Sequence, residues 1–209
     1  MKKRIIFDID GTLLESQDFR DSVVMAFERN GIVYKEEDVK RFLDGMSSYE
    51  DVNRRYNIRD YYEYLRCVSG LDIDMNFIRD YLHHAELLVD KPASDDVLET
   101  LDYLKLKYDL VVLTNFFKEV QQERLRVAGL DRYFSEVYGG ENYIKPSRDA
   151  FALAISSYNA YDCVMVGDDY VRDFKGATAA GVNAIYYNKT GKVNMVDEIN
   201  DFKYLKKIL

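Results

Sequence analysis

Only two cysteines occur among the 209 residues, Cys67 and Cys163, far apart in the chain. They show no zinc-type spacing; one disulfide is arithmetically open, and free thiols in a reducing compartment are the expectation. No run of about eighteen apolar residues occurs, which removes a spanning helix. The start, Met1-Lys2-Lys3-Arg4, has the charge of a signal peptide. Its apolar run, Ile5-Ile6-Phe7, stops at Asp8, far too short for a secretory segment. A cytoplasmic location is expected, with no membrane partner. A basic stripe is also missing: Lys and Arg total 29 against 37 Asp and Glu, a net charge of −8 and a pI near 4.9. A nucleic-acid polymer would be repelled by such a surface. If this chain handles phosphate, it needs a local device against that repulsion, and a metal ion is the obvious one. Internal repeats and low-complexity tracts are absent too.

The composition, 47% hydrophobic and 32% charged, is that of an ordinary globular protein. At a typical ~150 residues per domain, the length suits one domain carrying an insertion. From Val89 onward, short β-branched runs alternate with helical patterns. Ser94 reads as an N-cap before Val97, Leu98, Leu101 and Leu104 at helical spacing. Leu110-Val111-Val112-Leu113 reads as a buried strand, and a helix over 118–128 stops at Gly129. Further elements are a helix around Ala150–Tyr158, a strand over 163–166, a helix over 171–180, a strand over 182–187 and a short closing helix. Such alternation predicts an α/β fold, a parallel sheet with helices on both faces. Residues 19–89 differ: four helical patterns, punctuated by Gly31, Gly45 and Gly70, follow the first strand at 4–7. This predicts a Rossmann-like core of 1–14 and 92–209 with an inserted helical cap of 15–91.

Ligands of open parallel sheets gather at the carboxyl ends of strands. Those ends read Asp8-Ile9-Asp10-Gly11-Thr12, Thr114-Asn115 and Gly167-Asp168-Asp169. Gly11 permits the turn that Asp10 requires. Asp8, Asp10, Asp168, Asp169 and Asp173 could converge there, and crowded carboxylates call for a hard cation such as Mg²⁺. Thr114 offers a hydroxyl to an oxyanion, and Lys145 offers a compact positive charge to a phosphate or a nucleophile.

These segments resemble the four motifs of the haloacid dehalogenase superfamily. Asp8-Ile9-Asp10-Gly11-Thr12-Leu13 is similar to the first motif, Thr114 to the second, Lys145-Pro146 to the third, and Gly167-Asp168-Asp169 through Asp173 to Gly181 to the fourth. The insertion sits where the family's C1-type cap lies. The core resembles the phosphoglycolate-phosphatase and pyrimidine 5′-nucleotidase branch, and Leu113-Thr114-Asn115 with Gln121-Gln122-Glu123-Arg124-Leu125 resembles its nucleotidase-like members. One departure is Phe116, where those relatives usually carry Gly; it adds bulk near the phosphate pocket. The resemblance implies a Mg²⁺-dependent phosphatase acting on a small phosphorylated metabolite, a nucleoside monophosphate or similar, as a monomer or weak homodimer. It makes Asp8 the nucleophile and Asp10 the acid and base. Phosphate binding would fall to Gly11, Thr114, Asn115 and Lys145. Metal binding would fall to Asp8, Asp168 and the backbone carbonyl of Asp10, with Asp173 in support. A crowd of carboxylates is expected to keep Asp10 protonated for its first task.

Other readings compete. A phosphosugar mutase of the same superfamily shares all four motifs, and Arg41, Arg54, Arg55, Arg59 and Arg66 could hold its second phosphate. A receiver-type signalling domain also groups Asp, Thr and Lys, but without Asp-x-Asp-Gly-Thr or a helical insertion. No motif position is missing, which disfavours a non-catalytic member. Adjacent His83 and His84 face different sides of a helix and do not suggest a metal site. Tyr56, Tyr61, Tyr62 and Tyr64 fit cap core better than base stacking, although Tyr49 or Tyr56 would face Asp10 in a nucleotidase. Cys67 and Cys163 are expected to be buried small residues.

Overall fold

In the computed structural model, which describes residues 3–89, 93–189, 191 and 197–209, strand β1 (Lys3–Phe7) enters the interior at once. Ile5, Ile6 and Phe7 have no exposure. A continuous apolar run suits a strand covered on both faces. β1 lies at the centre of a six-stranded parallel sheet. Its other strands are β2 (Tyr108–Leu113), β3 (Glu136–Tyr138), β4 (Cys163–Gly167), β5 (Asn183–Tyr187) and β6 (Glu198–Ile199), in the order β3-β2-β1-β4-β5-β6. Ile6 is in register with Val111 on one side and Met165 on the other. Because side chains alternate along a strand, Ile5 and Phe7 join one apolar layer while Ile6 joins the opposite one. The strand order changes direction at β1, which opens a crevice at its carboxyl end.

After β1 and before residue 90 the chain forms four helices, α1 (Arg20–Arg29), α2 (Glu36–Val52), α3 (Ile58–Ser69) and α4 (Met75–Leu87). Local chemistry sets their ends. The Asn57 side chain accepts the Arg59 and Asp60 amides, Asp74 accepts those of Asn76 and Phe77, and Gly70 closes α3 at φ 64°. These helices enclose an apolar cluster including Phe27, Phe42, Leu65, Phe77 and Tyr81, which Phe116, Val120 and Ile144 join from the rest of the chain. The expected cap is thus a helical layer, while its expected boundary at 91/92 lies outside the described residues.

The remaining helices are α5 (Asp95–Lys105), α6 (Lys118–Val127), α7 (Arg148–Ile155), α8 (Gly176–Ala179) and α9 (Leu205–Ile208). Ser94 caps α5 by accepting the Val97 amide, and Gly129 follows α6 at φ 71°. The single helix expected over 171–180 is instead a wide π-turn, Tyr170–Lys175, running into α8. There the Phe174 amide reaches back five residues to the Asp169 carbonyl, at 3.3 Å. Such widened turns gather at functional sites, and this one carries Asp173. Neither β3 nor β6 was expected: three and two residues give no periodicity to read. Both cysteines are free, as expected, but Cys67 is exposed; only Cys163 is buried. Among the described residues no helix is long and apolar enough to cross a membrane.

Candidate active site

The Asp8 amide still donates to the Val166 carbonyl, at 3.0 Å. Asp8 therefore stands on the last rung of the ladder, with its carboxylate at the crevice. Gly11 then turns the chain at φ 79°, and a Cβ there would lie 1.9 Å from Asp168 Oδ2. Only glycine lets the β1 loop approach the β4 loop so closely. Gly167 works likewise: a Cβ would lie 2.2 Å from Asp173 Oδ2. Two glycines thus permit two carboxylates to close on Asp8.

Lys145 enters from the loop before α7. Its buried Nζ lies 2.6 Å from Asp8 Oδ1 and 2.6 Å from Asp173 Oδ1. Asp173 is fixed further by the Asp169 amide, 3.0 Å from its Oδ2, while Asp169 caps the π-turn through the amides of Val171 and Arg172. Asp8, Asp168 and Asp173 offer oxygens that all lie within 4.8 Å of one another. Asp8 and Asp173 thus share one ammonium, with Asp168 close beside them. Burial, then Asp173 and Asp10, push the Asp8 carboxyl up to about 8 against the pull of Lys145. Burial and Asp173 also raise Asp168. Burial would lower Lys145, but Asp173 and Asp8 outweigh it and hold the ammonium above the usual lysine range.

That imbalance fits a hard divalent cation. Oxygen-only donors with an excess of negative charge, held together by glycine-dependent close approach, are the chemistry Mg²⁺ requires. Asp173, expected in support, stands beside Asp8 and Asp168. The Asp10 carboxylate, expected to act in acid–base chemistry and to leave metal binding to its backbone carbonyl, is directed elsewhere. Its Oδ1 accepts Arg124 Nη2 at 2.6 Å and its Oδ2 accepts Nη1 at 2.9 Å. The carboxylate crowd expected around Asp10 therefore centres on Asp8, because the helix after β2 brings a guanidinium to Asp10.

Arg124 has no exposure and is a residue of the candidate site that the sequence did not single out. It donates also to Gln121 Oε1 at 2.7 Å and to the Leu88 carbonyl, at 3.3 Å, just beyond the end of α4. Gln121 Nε2 in turn donates to Thr114 Oγ1 at 3.0 Å. The visible signal was Gln121 and Arg124 at i, i+3 on one helix face, which is equally the pattern of a solvated surface. Thr114 is buried beside the cavity and bonds the Asn115 carbonyl. Asn115 is committed at both ends of its amide. Its Oδ1 accepts the Lys145 amide at 2.7 Å, and its Nδ2 donates to the Lys145 carbonyl and to Glu50 Oε2 of α2, at 2.8 Å. Glu50 also meets Arg172 at 3.2 Å and accepts the Tyr56 hydroxyl at 2.9 Å. A cavity of about 580 Å³ spans Asp8, Asp10, Lys145 and Asp168 below and Ser47, Glu50 and Tyr56 above.

A family model described as haloacid dehalogenase-like hydrolase matches residues 2–181. The chain belongs to that family. Among relatives of this hydrolase, the Bacillus subtilis HAD-hydrolase YfnB is 22% identical over 98% of this chain and 92% of its own length. A pyrimidine 5′-nucleotidase, PynA of Streptococcus pneumoniae, is 26% identical over 89% of this chain and 84% of its own. The fold extends to L-2-haloacid dehalogenase from Xanthobacter autotrophicus, whose structure superposes with a TM-score of 0.72 at 18% identity, covering 100% of this chain and 98% of that one. Family and fold establish a hydrolase.

Proposed function

We propose that this hydrolase is a Mg²⁺-dependent phosphatase of small phosphate monoesters. The observation that carries the reading is a second acid, Asp10, two residues beyond Asp8 and held in place by Arg124. In the superfamily resemblance, dehalogenases lack that acid, so Asp10 separates phosphoryl transfer from dehalogenation.

Asp8 attacks phosphorus, forming an aspartyl phosphate as the bond to the leaving oxygen breaks. Asp10 gives its proton to that oxygen, then takes one from the water that hydrolyses the acyl phosphate. Asp10 Oδ2 also accepts Gln121 Nε2 at 3.4 Å, but Oδ1 keeps a second lone-pair direction beside its bond to Arg124, so the pairing orients the carboxyl without consuming it. Lys145, Thr114 and backbone amides near Gly11 hold the phosphoryl oxygens, and Asn115 fixes Lys145 through its backbone. Asp8, Asp168 and the Asp10 carbonyl, with Asp173 in reach, would hold Mg²⁺, whose charge would offset that of the transferred group.

A nucleoside monophosphate or similarly small monoester fits best. PynA is a nucleotidase by name, and Tyr56 lines the cavity. Tyr49, the alternative aromatic for that place, is fully buried within the cap and does not line the cavity. A mutase would need a cationic cap, yet among the described residues none of Arg41, Arg54, Arg55, Arg59 and Arg66 lines the cavity; its arginine is Arg172, from the core. The test is phosphate release and isomer formation on nucleotides, sugar phosphates and phosphoglycolate. We expect repeated phosphate release with Mg²⁺, lost on chelation and restored by Mg²⁺. Silence of the whole panel with Mg²⁺ overturns the reading, and isomer formation without net phosphate release would mean a mutase.

A further inference from the structure

Phe116 lies between β2 and α6, in the core half of the chain, yet its side chain belongs to the apolar cluster of the cap. Its backbone sits at φ 109°, in the left-handed region that favours glycine. A strained conformation persists only where its surroundings over-determine it. Here they do. The ring is 8% exposed, with ring centroids of Phe19 at 5.9 Å, Tyr56 at 5.3 Å, Tyr61 at 6.1 Å and Phe117 at 5.2 Å. A backbone chain runs through the same point: the Gly140 amide donates to the Phe116 carbonyl at 2.7 Å, and the Tyr56 amide donates to the Gly140 carbonyl at 2.7 Å. Gly140 is required there, because a Cβ would fall 2.6 Å from the Tyr56 ring.

We propose that Phe116 is a specificity-determining residue that pins the cap to the core and so fixes which leaving groups the cavity admits. Its ring is almost wholly consumed by packing, so it acts by holding Tyr56 and Glu50 over Asp8 rather than by stacking on a substrate. A pinned cap presents a cavity of set size. Unpinning it admits bulkier leaving groups and weakens discrimination among small ones. The substrate part of this inference rests on the phosphatase reading; the pinning part does not.

The test is Phe116→Gly, which installs the residue the backbone geometry favours while deleting the ring. We expect hydrogen exchange at the Tyr56 and Gly140 amides to quicken at least tenfold, with β1 and β4 amides unchanged. We expect the kcat/KM ratio between bulky and small monoesters to move at least tenfold toward the bulky ones. Unchanged exchange overturns the pin, and faster exchange with an unchanged ratio overturns the role in specificity. If no monoester turns over in the parent enzyme, the phosphatase reading fails, while the exchange measurement still decides the pin. Phe116→Leu keeps an apolar plug and, should the glycine variant not fold, carries both readouts with smaller changes in the same direction.

Discussion

Strand β1 carries a buried charge at each end, and the two ends are built on opposite terms. At its beginning Arg4 is fully matched. The guanidinium meets Asp109 at 2.7 Å, donates to the Ala154 carbonyl at 2.6 Å and lies 4.3 Å from the centre of the Tyr158 ring. Asp109 accepts in addition from Ser135 at 2.6 Å and Tyr158 at 3.1 Å. Burial would raise the Asp109 carboxyl, yet these hydrogen bonds and Arg4 outweigh it and hold it below its ordinary value. At the far end Asp8 and Asp173 divide a single Lys145, and Asp168 crowds in beside them. The first arrangement holds the sheet together. The second leaves negative charge unanswered in a crevice, which costs stability and creates an appetite for a cation. The same strand thus serves structure at one end and chemistry at the other.

The sharpest way to break this contrast is Asp8→Asn. Turnover should fall by about 10⁴-fold or more, since an amide is a poor nucleophile toward phosphorus. The melting temperature in chelator should hold or rise, because one of three crowded carboxylates has gone. A clear loss of thermal stability would mean that the cluster is structural, like the Arg4 pair. Arg124→Gln probes an intermediate case, a matched pair inside the site. It should lower kcat by roughly 10²-fold, more on alkyl phosphates than on nitrophenyl phosphate, whose leaving group needs no proton. Arg124→Lys should recover part of the loss. Equal losses on both ester types would remove Asp10 orientation as the cause.

Arg4→Met should do the reverse of Asp8→Asn. Leaving Asp109 without its cation should cost about 2–3 kcal/mol by thermal or urea unfolding, toward the lower side of a buried pair because Asp109 keeps some contact with water. Activity per folded molecule should not change. The smallest effect is in pH. Asp109 has a folded pKa below its unfolded value, so its contribution is complete above the unfolded carboxylate range near ~3.9 and is lost as pH falls through the folded value. The melting temperature of the parent protein should therefore drop on the acid side of about pH 4. Asp109→Asn should flatten that limb while lowering stability at neutral pH.

Much of this arrangement is local and was legible in the chain. Apolar runs at Ile5–Phe7 and Leu110–Leu113 make buried strands wherever a sheet forms, and Ser94 and Gly129 mark helix ends by their own backbone chemistry. The acids Asp8, Asp10 and Asp168 were readable because carboxylates at strand ends, where apolar filling is usual, stand out by position. The π-turn of Tyr170–Lys175 was not readable, since its sequence suits an ordinary helix and only its setting among Asp169, Asp173 and Lys145 selects the wider turn. The burial of Cys67 was misread for a related reason: its helix has a wet face and a dry one, and the packing of α2 decides which residues lie on each.

Sequence alone therefore determined the alternation of elements, the helical insertion and the identity of the acidic strand ends, because each is written in neighbouring residues. Folding in three dimensions decided the partnerships: Lys145 between Asp8 and Asp173, Arg124 against Asp10, Glu50 with Asn115, and Phe116 in the cap. Lys145 and Asp8 lie 137 positions apart and Arg124 and Asp10 lie 114 apart. A side chain's type states what it can bond. Which of many distant candidates it meets depends on register, helix packing and the close approach at Gly11 and Gly167, all of which arise only when the layers assemble.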